Sequence, residues 1–176
     1  MKHLILETNR LHLRAITPDT YDPIFTLRDS DIMEFFGFDT EEQLEFERTR
    51  YLNGLRTYNK SYLYFHLIEK ESGKIIGWCG YHTWHLDHNR AEIGYGLRTD
   101  TVKRKGYMSE AITAVLDYGF SQMNLHRIEA MASPSNDASI RVLEGNGFVQ
   151  EGLLKQHYFI NDVYEDSAIY ALIRKE

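Results

Sequence analysis

The chain has 176 residues, 43% hydrophobic and 26% charged, enough apolar residues for one ordinary core and too many for disorder. Its formal net charge of −6 argues against a phosphate-rich nucleic-acid partner and favours a cationic small molecule or a basic protein. The single cysteine, Cys79, excludes an internal disulfide and, within the apolar run Ile75, Ile76, Gly77, Trp78, reads as a buried small hydrophobe.

Charge comes too early after Met1 for a signal peptide, and no apolar run approaches membrane-spanning length. The expectation is one soluble, cytoplasmic domain over residues 1–176 with no membrane partner. Aromatics at 13%, with 12 Tyr, imply a pocket or interface lined by rings as well as a core.

Leu11, Leu13 and Ala15 alternate with His12 and Arg14, which predicts a first strand. Thr17 can cap and Pro18 suits the first turn of a helix running to about Leu27. Phe35, Phe36, Gly37 and Phe38 link it to a second helix over residues 41–58. Strands over 62–68 and 75–84, joined by Ser72, Gly73 and Lys74, make an antiparallel hairpin. A turn at 87–89 precedes a strand over 91–97, in which Gly94 to Gly96 are a candidate bulge. A cationic loop over 102–107 leads into a helix over 108–123, whose Met108, Ala111, Ile112, Val115 and Leu116 recur at helical spacing. A strand over 126–132 and a turn at Ser133 to Asn136 follow, then a short helix over 137–145 ended by Gly147. Two long strands, 149–160 and 163–173, turn at Asn161 and Asp162.

The chemistry-bearing segment is the strand containing Glu92, Ile93, Gly94 and Tyr95, followed by Lys103, Arg104, Lys105, Gly106, Tyr107, Met108 and Ser109. Strand passes to loop and loop to helix. Consecutive backbone N–H groups at a helix N-terminus form an anion site helped by the helix dipole, and Gly106 lets backbone come close to the anion. The geometry suits a pyrophosphate.

This order of motifs resembles the GNAT acetyltransferase superfamily. Gly106 matches the central glycine of the family's Gln/Arg-x-x-Gly-x-Gly/Ala signature, while Lys103 and Met108 depart from it. Asn136 to Ser139, Asn146 to Val149 and the opening Arg10 to Arg14 are similar to the RimJ/RimL-like branch, which acetylates ribosomal-protein N-termini. The resemblance implies a twisted, mostly antiparallel mixed sheet of six to seven strands flanked by about four helices, an α/β fold. It also implies acetyl-CoA as co-substrate. Its pyrophosphate would sit on residues 103–109. Its pantetheine arm would bond backbone groups of Leu97, Arg98 and Thr99, and a backbone N–H near Leu97 would stabilise the thioester oxygen. Asn136 and Ser139 would complete the cofactor contacts.

The resemblance makes Glu92 the candidate general base, with Ser139 or Tyr158 the candidate acid, because Leu143 occupies the position where many members carry a tyrosine. His82 is a further candidate for proton transfer. His82, His85 and His88 lack a carboxylate or cysteine to complete a metal site, so no metal is expected. The acceptor would be a protein N-terminal amine. Alternatives are a polyamine or other small amine, or a sensor that binds acetyl-CoA without turnover. A homodimer is left open.

Overall fold

A computed structural model describes residues 4–52 and 61–175. Strand Ile5–Glu7 (β1) pairs antiparallel with Leu11–Ile16 (β2), the first strand expected. Helix α1, Pro18–Ile24, stops short of the expected Leu27. Pro23 lies in its last turn, and the amides of Thr26 and Leu27 fold back onto the carbonyls of Pro23 and Ile24.

A helix not foreseen, α2 (Asp29–Phe36), follows. Asp29 and Asp31 favour its N-terminus electrostatically, and Gly37 ends it at φ 68°, in the left-handed region. Phe35 and Phe36 thus belong to a helix rather than a link. The next helix, α3, is described over Glu41–Leu52, and the expected continuation to Tyr58 lies outside the described residues.

Strands β3 (Ser61–Glu69), β4 (Ile75–His85) and β5 (Arg90–Leu97) form a meander. Helix α4, Tyr107–Ser121, returns the chain to β6, Arg127–Ala132. Helix α5 covers Asp137–Gly145, and β7 (Val149–Ile160) and β8 (Val163–Ile173) close the fold. Among the described residues the sheet has eight strands in the order β1-β2-β3-β4-β5-β6-β8-β7, where six to seven were expected, and there are five α-helices where about four were. The extra elements are the short β1 and α2, whose brevity weakens any periodic signal. Every pairing is antiparallel except β5–β6.

Alternation sorts the sheet into two faces. Leu11, Leu13, Phe65, Leu67, Tyr81 and Ile93 pack against Ala111, Ile112 and Val115 of α4, with Leu143 of α5 in the same cluster. The other face carries Ile16 and Tyr64, covered by Tyr21, Ile24, Ile32, Phe36 and Leu44 of the first three helices. Among the described residues no helix is long and apolar enough to cross a membrane.

Candidate active site

The parallel pair β5–β6 is the origin of the site. It is in register at only three positions, Arg90↔Arg127, Ala91↔Ile128 and Glu92↔Glu129. Beyond Glu92, β5 runs on to Leu97 paired with β4 alone, in unbroken register from His82↔Glu92 to Gly77↔Leu97. The bulge expected at Gly94 to Gly96 is therefore absent. The irregularity sits across the ladder between His82 and His85, where Thr83 adopts φ 50°.

Arg98 N donates to Ile76 O at 2.9 Å. By strict alternation the even residues of β5 bond β4, and the amides and carbonyls of Tyr95, Leu97 and Thr99 face the gap left by β6. A linear amide ligand can add there as a strand would. Arg98 is committed elsewhere: besides its amide, its guanidinium donates to Phe36 O and, at 2.6 Å, to Gly37 O. It holds the C-terminus of α2 against the sheet instead of offering a ligand group.

The cationic loop meets α4 as the residue order requires. Glu110 N to Gly106 O, 3.1 Å, is the helix's first hydrogen bond, so the amides of Tyr107, Met108 and Ser109 have no intrahelical acceptor. Gly106 lies at φ 79° and Arg104 at φ 60°, with Lys105 and Tyr107 outside the left-handed region. Such alternation of handedness curls successive N–H groups into an anion-binding concavity. The side chains of Tyr107 and Met108 are buried, so these two residues offer the site only backbone. Tyr107 counts as the first helical residue rather than the end of the loop. Lys103 pairs with Asp100 at 2.7 Å, and Arg104 and Lys105 are exposed.

The candidate proton-transfer groups separate by face. Glu92, Gly94 and Gly96 lie on the face carrying Trp78 and His82. His82 Nε2 stands 3.7 Å from Glu92 Oε1 across the ladder. A Cβ at Gly94 would come within 3.0 Å of His82 Nε2, and one at Gly96 within 3.1 Å of Trp78 Nε1. The two glycines thus let these rings lie over β5. Tyr158 reaches the same face, its hydroxyl 4.0 Å from Met131 Sδ. Burial, and then the Glu92 carboxylate, push its phenol above the ordinary range.

A bulge sets the position of Tyr158. Between the pairs Leu154↔Ser167 and Tyr158↔Glu165, three residues of β7 oppose the single Asp166, and Gln156 takes φ 51°. Asp166 accepts from Gln156 N (2.9 Å) and Lys155 Nζ (2.8 Å). In unbroken register Tyr158 would oppose Val163, two positions or about 7 Å further towards the hairpin tip.

Ser139 lies on the other face. Asn136 caps α5 by accepting from Ser139 N at 3.1 Å, and Tyr95 Oη reaches Ser139 O at 3.4 Å. Leu143 is a core residue. Glu92, His82 and Tyr158 therefore come together, while Ser139 and Asn136 face them from across the sheet. Nothing in the local sequence marks Tyr95 or Asp166, because their roles depend on strand register.

Beside Trp78 a cavity of about 390 Å³ opens between the sheet and the helical cap. It is lined by Tyr21, Phe36, Phe46, Tyr64 and Trp78, with Glu47 and Glu42 as its carboxylates. Glu47 accepts from the Tyr21 hydroxyl. His66, in the cavity wall, is pushed down to about 3, first by burial and then by the charges of Arg14 and Arg98. Among the described residues no group of three or more His, Cys, Asp or Glu side chains is arranged to hold a metal. An apolar cleft with a few carboxylates suits an amine, and the anion cradle on the other side of the gap suits a phosphate-bearing donor.

The chain is similar to known acetyltransferases in sequence and fold. The acetyltransferase (GNAT) domain family matches residues 10–149. YoaA, an uncharacterized N-acetyltransferase of Bacillus subtilis, is 32% identical over 176 residues, covering 97% of each chain. The ribosomal-protein-serine acetyltransferase of Escherichia coli is 27% identical over 177 residues, covering 98% of each. The crystal structure of spermidine/spermine N-acetyltransferase from Vibrio cholerae shares the fold at TM-score 0.65 and 24% identity, over 93% of this chain and 92% of that one.

Proposed function

This chain belongs to the GNAT acetyltransferase family, and we propose that it acetylates a protein N-terminal amine, with Glu92 as the proton acceptor and Tyr158 as the proton donor. The carrying observation is the divergence of β5 from β6 immediately after Glu92, which leaves backbone groups free on one side of a carboxylate that meets His82 and Tyr158 on the other.

The free edge of β5 and the amides of residues 106–109 fit the donor. The family's acetyl-CoA supplies an activated thioester. In the proposed arrangement the cradle holds the pyrophosphate, and Tyr95, Leu97 and Thr99 bond the pantetheine amides. The Leu97 N–H meets the charge that develops on the thioester oxygen. Arg98 fixes the position of this edge through α2. Asn136 serves as the cap of α5.

The acceptor enters over Trp78. Its amine must be neutral to attack the thioester carbon. An N-terminal amine of pKa about 8 is roughly one-tenth neutral at pH 7, whereas an alkyl amine near 10.4 is neutral at only about one part in 2,500. Glu92, directly or through a water, takes the proton that the nitrogen loses as the C–N bond forms. As the C–S bond breaks, the sulfur leaves as a thiolate of parent pKa about 8.5, so donation from Tyr158 need give only modest help. Tyr158 suits this role better than Ser139 because it shares a face with Glu92. The similarity to a ribosomal-protein-serine acetyltransferase over nearly the whole chain supports the N-terminal reading.

Polyamine acetylation is the second reading, favoured by Glu42 and Glu47 in the cavity. Thiol release from acetyl-CoA, followed against a panel of N-terminal peptides and polyamines, decides between them. Turnover of Ser- or Ala-initiated peptides is expected, and turnover of polyamines alone overturns the N-terminal reading. Gly106→Glu is expected to abolish acetyl-CoA binding, because it adds bulk and negative charge at a positive-φ residue in the cradle.

A further inference from the structure

Arg10 stands just before β2, outside every motif of the donor site, yet its side chain ends at the pyrophosphate loop. Nη1 donates to Lys105 O at 2.8 Å, and the guanidinium lies 4.6 Å over the Tyr107 ring. Nε donates to Glu110 Oε2 at 2.6 Å, while the Arg10 amide donates to Glu110 Oε1 at 2.7 Å. Nη2 makes no hydrogen bond among the described residues, and lies 3.4 Å from where a Cβ on Gly106 would stand. The Thr8 hydroxyl adds a third donor to Glu110 at 2.7 Å.

Two physical consequences follow. The loop alternates handedness at Arg104 and Gly106, and a non-glycine residue in the left-handed region persists only where its surroundings enforce it. Fixing the Lys105 carbonyl between these two residues enforces it, and turns that oxygen away from the amides that follow. The second consequence is electrostatic. Glu110 lies in the first turn of α4, where its charge would repel an anion bound at the helix N-terminus. Arg10 cancels that charge. Although burial raises the Glu110 carboxyl, hydrogen bonds from Thr8 and from the Arg10 amide and side chain leave it below its usual range.

We propose that Arg10 is a positioning residue for donor binding, clamping Lys105 and neutralising Glu110 so that the amides of residues 106–109 converge on a pyrophosphate. The inference rests on the reading of this loop as the pyrophosphate site. Lysine cannot replace it, because a point charge cannot bond the Lys105 carbonyl and the Glu110 carboxylate in one planar fork.

The test compares two ligands, coenzyme A and pantetheine, which lacks the pyrophosphate, by calorimetry or by competition against acetyl-CoA. Arg10→Ala is expected to weaken coenzyme A about tenfold or more, the scale for a charge-assisted contact, and to leave pantetheine unchanged. Arg10→Lys should recover only part of the loss. Glu110→Gln in the Arg10→Ala background should restore some affinity by removing the uncompensated charge, and Arg10→Lys serves as the second probe if Arg10→Ala folds poorly. Equal weakening of both ligands, or full recovery by lysine, overturns the proposal. If Gly106→Glu abolishes coenzyme A binding while Arg10→Ala leaves it intact, Arg10 fails and the loop assignment stands. If Gly106→Glu binds normally, the loop assignment fails, and Arg10 as a pyrophosphate-positioning residue falls with it.

Discussion

Gly119 lies in α4 beneath Tyr81, a fully buried side chain whose hydroxyl donates to Val115 O at 2.8 Å. A Cβ at Gly119 would overlap Tyr81 Oη, stand 2.8 Å from Cζ and lie 3.2 Å from Leu125 Cδ1. Gly119→Ala must therefore push α4 off the sheet or drive the phenol from its acceptor. Overpacking costs about 1–3 kcal/mol and an unsatisfied buried hydroxyl about 1–3 kcal/mol, against about 0.5–1 kcal/mol gained by replacing glycine in a helix. Where both costs are incurred, the net loss is about 1–5 kcal/mol. At about 2–4 °C per kcal/mol for a chain of this size, scanning calorimetry should read a fall of roughly 2–20 °C. Adding Tyr81→Phe removes the clashing oxygen and should recover part of it. An unchanged or raised Tm in Gly119→Ala would refute the packing argument, and a double variant no more stable than Gly119→Ala would refute its attribution to the hydroxyl.

Glu92→Gln should lower kcat by about 10²–10⁴-fold, the usual range for a positioned general base, with little change in the Kd of coenzyme A; unchanged kcat removes Glu92 from the mechanism. Tyr158→Phe should lower kcat by a smaller factor and abolish the alkaline limb of the pH–rate profile. The raised phenol pKa keeps wild-type Tyr158 protonated up to and beyond the ordinary tyrosine range, so persistence of that limb in the variant assigns it elsewhere. His66 titrates near 3 when folded and near 6.5 when unfolded. As pH falls below 6.5 the unfolded chain binds a proton that the folded one refuses, and stability drops by about 1.4 kcal/mol per pH unit until about pH 3. Urea unfolding at pH 7 and pH 5 should show wild type losing about 2 kcal/mol more than His66→Gln, and equal losses would refute a buried neutral His66.

Most of the fold's elements were written in local pattern. Alternation marked β2, and 3.6-residue spacing marked α4. Asn136 and Gly147 bounded α5, and the Asn161–Asp162 turn joined β7 to β8. What escaped was short or strained. β1 spans three residues, α2 carries its apolar side chains over barely two turns, and the irregularities at Thr83 and Gln156 leave no compositional trace.

The site divides along the same line. The chain order of strand, basic loop, Gly106 and helix determined by itself that a cluster of amides would be left without intrahelical partners beside basic side chains, because an α-helix cannot satisfy its own first N–H groups. The motif order likewise carried the family resemblance. Only the tertiary structure decided which groups meet. Register brings His82 opposite Glu92, the Asp166 bulge sets Tyr158 two positions back from the hairpin tip, and a 95-residue separation closes to 2.8 Å between Arg10 and Lys105. Such contacts depend on the pairing of distant strands and on helix packing, and no local run of residues encodes either.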